Sequence, residues 1–84
     1  MNIKKNQVFV QLEIANWDNT DLASSLFETC YSQRQYENDI IEVHQVVDLG
    51  KHKGKSRYLI IINITQDLDN LGEEIDNPYI VKSP

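Results

Sequence analysis

The residues most able to do chemistry cluster in Gly50-Lys51-His52-Lys53-Gly54-Lys55-Ser56. Two glycines, three lysines and a serine suggest a phosphate cradle, in which backbone amides and a lysine neutralise the phosphates of a nucleotide. That loop needs four residues between its glycines and a helix directly after the Ser or Thr. Here three residues separate the glycines and an apolar, strand-like run follows. Nucleotide binding by this route is rejected. Together with Arg57, the side chains of Lys51, His52, Lys53 and Lys55 still make a basic tip suited to phosphates of RNA or DNA, or to carboxylates of a partner. The plainer reading is a solvated turn whose lysines keep a hairpin soluble, and it is favoured, because so few cations neutralise only a few phosphates.

The opposite charge gathers at Asp67, Asp69, Glu73, Glu74 and Asp76. The first part of this run has some of the spacing of an EF-hand loop. However, its fifth position is Leu71, and its twelfth is Pro78, where calcium requires a bidentate Glu. An acidic loop that meets a basic partner is the better expectation. His44, His52 and Cys30 lack the short, repeated spacing of a zinc site. Cys30 falls among Leu22, Leu26 and Phe27 at helical spacing, which marks a small core residue rather than a nucleophile. Asn63-Ile64-Thr65 fits a glycosylation pattern but lies inside the most apolar run of the chain. No set of base, nucleophile and oxyanion donors can be assembled. The expectation is therefore no enzyme, no metal and no cofactor.

The elements that position these residues follow from periodicity. Residues 7–15 alternate, with Val8, Val10, Leu12 and Ile14 on one face and Gln7, Phe9, Gln11 and Glu13 on the other, as in a half-buried strand. Asp18, Asn19 or Thr20 offers an N-cap, with Asp21 in the positive first turn. Leu22, Ala23, Leu26, Phe27 and Cys30 then form an apolar stripe on a helix over about 20–36, with Ser24 and Ser25 on its outer side and Asn38-Asp39 ending it. Residues 40–49 read as a strand with Ile41, Val43, Val47 and Leu49 on one side and Ile40, His44 and Val46 on the other. Residues 57–65 are apolar on both sides, as a central strand is. Between these two strands lies a hairpin link. Residues 67–75 allow a short helix or a loop, and 79–81 a brief edge strand. Trp17, just after the first strand, is expected to cap the core.

This order predicts one small α+β domain over 1–84 with 82–84 frayed. It is a two-layer sandwich of one amphipathic helix on a mainly antiparallel sheet, in the order β-α-β-β-(α)-β, and in that form ferredoxin-like. The 84 residues carry thirteen carboxylates against eight Lys and Arg, a net charge of −5. That balance disfavours coating a phosphate backbone and suits an acidic body with one basic loop. A single cysteine, no secretory signal and no apolar run of about 18 residues point to the cytoplasm.

The leading functional expectation is a small acidic protein-binding module. In its sharper form it inhibits a basic nucleic-acid-binding host protein as a phosphate mimic. Small phage or mobile-element proteins of the anti-defence or immunity type share this size and charge, an analogy that rests on no motif. A nucleic-acid binder using the basic hairpin comes second, and a structural subunit of a larger assembly third. Phe9, Val46, Leu59 and Ile61 are expected to form an apolar patch on the outer sheet face that a homodimer would hide.

Overall fold

The computed structural model describes residues 1–15 and 21–75, in the order β1 (Ile3–Ala15), α1 (Leu22–Ser32), β2 (Ile40–His52) and β3 (Lys55–Asp67). The fold is a small α+β arrangement, with the β-α-β-β order expected. The strands form one sheet in the order β1-β3-β2, and both outer strands run antiparallel to β3. The most apolar run of the chain therefore takes the central place and fills its backbone hydrogen bonds on both sides.

Each strand is longer than its alternation alone indicates. All three have 13 residues. Ile3 pairs with Asp67 and Ala15 with Lys55, so polar residues at both ends are carried into the ladder by register with β3. Cross-strand partners share a face. Val8, Val10 and Leu12 therefore stand beside Ile62, Ile60 and Tyr58 on one face, and Phe9 stands beside Ile61 on the other. Among the described residues, Ile60 and Ile62 are the only hydrophobic side chains that are fully buried, and both lie on the first face.

β2 departs from simple alternation. Its register shifts between Val43 and Gln45 and again between Asp48 and Gly50, so His44 and Leu49 are extra residues without a partner on β3. Each bulge reverses the inward–outward order of the residues after it. Val46 consequently pairs with Ile60 on the core face, and Val47 pairs with Leu59 on the outer face. The expected placement of these two valines is thus exchanged.

The helix lies on the core face, where a shallow cleft is lined by Leu12 together with Ser25, Thr29 and Ser32. It is shorter than the stripe over 20–36 suggests. Asp21 is its N-cap, accepting a 2.7 Å bond from the Ser24 amide. The expected caps Asp18, Asn19 and Thr20, like Trp17, lie outside the described residues. Donation from the Ser24 amide, and then from its hydroxyl, holds the Asp21 carboxyl below its ordinary value. At the other end Asp39 stops the helix, because its Oδ2 accepts from the Gln35 and Tyr36 amides at 3.0 and 2.9 Å. Those amides would otherwise continue the helical ladder.

The inward stripe also differs from the expected one. Ser25 is buried and Phe27 is 74% exposed. Phe27 follows Leu26 by about 100° of rotation, enough to carry it off the sheet. At about 1.5 Å per residue the 11-residue helix covers roughly 16 Å of strands that run roughly 43 Å.

The segment after β3 is neither helix nor strand over 68–75, apart from one bridge between Glu74 and Tyr36. Backbone bonds tie it to the turn after α1: Glu37 N to Glu73 O at 2.9 Å, Asn38 N to Leu71 O at 3.0 Å and Ile75 N to Gln35 O at 2.9 Å. Gly72 allows this approach. Its φ is +77°, and a Cβ there would meet the Glu37 Cβ at 3.0 Å. The expected final strand at 79–81, and with it the full ferredoxin-like order, falls outside the described residues. No helix among the described residues is long and apolar enough to cross a membrane.

Asp39 links these parts. It is buried, and besides capping the turn it accepts from Gln66 Nε2 on β3 at 3.2 Å. Asp39→Ala would leave two amides and the buried Gln66 amide without an acceptor. It should lower unfolding stability by about 2–4 kcal/mol in a urea titration. Asn, which keeps one oxygen, should cost less.

Candidate functional site

Three surfaces are exposed enough to meet another molecule. The first is the basic hairpin. β2 and β3 remain paired as far as His52 and Lys55, so the expected seven-residue loop shrinks to the two residues Lys53 and Gly54. Both have positive φ, +52° and +76°, as a type I′ hairpin turn requires. Gly50, at φ +84°, occupies the second bulge, where its amide donates to Asp48 Oδ1 at 2.8 Å. A strand rather than a helix follows Ser56 directly, which is incompatible with a nucleotide loop.

The basic side chains do not share one face. Lys51 is partnered with Ser56 on the helix-bearing side, and Lys53 is at the tip. His52, Lys55 and Arg57 are on the opposite side. Lys55 Nζ lies 3.5 Å from Glu13, an exposed pair of small worth. Arg57 is half-buried, and its Nε is shut off from solvent without a hydrogen-bond partner among the described residues.

The second surface is the acidic end. Asp67 and Asp69 have structural work there. Asp67 Oδ1 accepts from the Asp69 amide at 3.1 Å. Asp69 accepts from the Asn2 amide at 3.0 Å and from its side chain at 3.2 Å, with the N-terminal amine 4.0 Å away. Glu73 and Glu74 are exposed, and the turn after α1 brings the exposed Glu37 beside them, a neighbour that sequence spacing did not reveal. Asp76 lies outside the described residues. β3 runs between the two charged ends, and its roughly 43 Å accounts for most of the 46 Å long axis.

The third surface is the sheet face away from the helix. None of its side chains is buried. Phe9 is 62% exposed, and Ile61, Leu59 and Val47 stand half-buried around it. Val46, expected here, belongs to the core side because the bulge at His44 turns it inward. Gln7 donates to Asn63 Oδ1 at 2.9 Å across this face.

Burial raises the Cys30 thiol, which keeps it protonated and poorly nucleophilic at neutral pH. His44 is exposed on its bulge, and His52 stands in the hairpin. Among the described residues no group of three or more His, Cys, Asp or Glu is placed to hold a metal ion. No family model, curated protein or solved structure matches the chain.

Lys53 sits in a backbone conformation that favours Asn over Lys. Lys53→Asn should therefore stabilise the protein by roughly 0.5–1 kcal/mol, read as a raised urea midpoint with an unchanged slope.

Proposed function

We propose that the chain is a non-catalytic protein-binding module that engages a basic partner through its acidic end. In the sharper form it is an inhibitor, of the anti-defence or immunity type, that occupies the cationic groove of a nucleic-acid-binding protein. One observation carries this reading. The acidic segment and the basic hairpin lie at opposite ends of β3, roughly 40 Å or about five Debye lengths apart at physiological salt, with Lys4 and Lys5 beside the first and Glu13 and Asp48 beside the second. At such a distance the lysines of the hairpin do not screen the carboxylates from an approaching partner. Glu37 and Glu73 come from separate segments joined by a backbone bond, so this end is a held surface rather than a loose run of acids.

A second reading, nucleic-acid binding by the hairpin, is favoured by Lys53. It keeps a cation at a turn position where Asn would cost less, and a residue that conflicts with its own backbone is often retained for contact. The same charge separation leaves this end locally basic despite a net charge of −5. The first reading ranks higher because the basic groups are divided between the two sides of the hairpin, which limits how many reach one backbone. A homodimer through the sheet face that the described residues leave uncovered is compatible with either reading.

The two separate by titration of the full chain with polylysine and with a single-stranded DNA or RNA oligomer at low salt. The proposal expects binding to polylysine that weakens steeply with salt, and none to the oligomer. Glu37→Lys with Glu73→Lys should cut polylysine affinity by at least about tenfold and cost less than about 0.5 kcal/mol of stability. Oligomer binding that is lost when Lys51, Lys53 and Lys55 become Ala would overturn it in favour of the hairpin.

A further inference from the structure

We infer that the sheet face left uncovered by the described residues is the contact between two copies of this chain, related by a two-fold axis perpendicular to the strands. The sheets then pack face to face with their ends reversed. This goes beyond the proposed function, which uses carboxylates at the end of the molecule.

The centre of the face is apolar. Phe9, Ile61, Leu59 and Val47 occupy two adjacent rows across the three strands, and the described residues place their one helix on the other side. Three strands about 4.8 Å apart and roughly 43 Å long give a footprint of roughly 600 Å². Side-chain relief raises the accessible area toward the about 800 Å² per partner that specific interfaces bury.

The charges select the axis. Toward the acidic end the face carries Lys5 on β1 and Glu42 on β2. Toward the hairpin it carries Glu13 on β1, with Arg57 and Lys55 on β3. An axis perpendicular to the strands, passing between the rows of Ile61 and Leu59, lays Ile61 of one copy on Leu59 of the other. It also brings Glu42 over Gly50 of the opposing β2, one strand from the opposing Arg57, and Lys5 over the opposing Ala15, between Glu13 and Lys55. An axis along β3 would instead set Arg57 on Arg57 and Lys55 on Lys55, a repulsive arrangement in a drying interface.

The test is sedimentation velocity on the full chain over a wide concentration range. The proposal expects a monomer–dimer equilibrium, with Phe9→Lys or Ile61→Lys raising the dissociation constant at least about tenfold and leaving the far-UV spectrum unchanged. Phe9 is exposed enough that its variant should fold even if the Ile61 variant does not. Orientation is read in a Cys30→Ser background with a short bismaleimide. Gln11→Cys, close to the proposed axis, should cross-link to its copy, and Thr65→Cys, far from it, should not. A monomeric wild type at all concentrations, or an unchanged dissociation constant in Phe9→Lys, would overturn the dimer and leave the acidic-end reading standing. Cross-linking by Thr65→Cys and not by Gln11→Cys would overturn the axis.

Discussion

The structure depends on the pairing of β3 along both of its edges. Residues 55–67 are apolar enough to sit in the centre of the sheet, and long enough to set the length of everything beside them. Ile60 and Ile62 are fully buried between β1 and β2 on the helix-bearing face, and among the described residues β1 and β2 pair only with this strand. The hairpin is basic at one end of β3, and the acidic segment leaves from the other. The distance between these two segments is therefore a consequence of the length of one strand.

A constraint arises from having one short helix for three long strands. The helix covers less than half the strand length on one face, and it turns Ser25 and Thr29 inward where larger apolar side chains would fill more space. Burial of apolar area is the main favourable term in folding, and a small domain has little to spare. The other face offers Phe9, Ile61, Leu59 and Val47 to solvent, which is an expensive way to leave a monomer and an ordinary way to build an interface. Asp39 compensates locally. It holds the turn after α1, stops the helix and ties both to Gln66 of the central strand.

Much of this was legible in the residues. The alternation of residues 7–15 and the two-sided hydrophobicity of 57–65 locate a half-buried strand and a central strand, because period and apolar density are local properties. The bulges at His44 and Leu49 were not legible. A bulge is a relation between two strands, and β2 alone shows no sign of which residue is extra. That is why Val46 and Val47 exchange sides. Phe27 misled because an aromatic residue next to the stripe reads as part of it, whereas helix geometry carries it to solvent. The tight turn was hidden by Lys53, whose residue type does not announce a positive φ. At the candidate acidic site the charges were legible, but not the meeting of Glu37 with Glu73, which backbone bonds between distant segments create.

Native-state hydrogen exchange, resolved amide by amide, measures the central place of β3 directly. The account predicts that the slowest amides of the chain lie in Tyr58–Ile64 and exchange only through global unfolding. On β1 and β2, protection should alternate, since only every second amide points toward β3. Amides of β1 or β2 that exchange more slowly than those of Ile60 and Ile62 would contradict it.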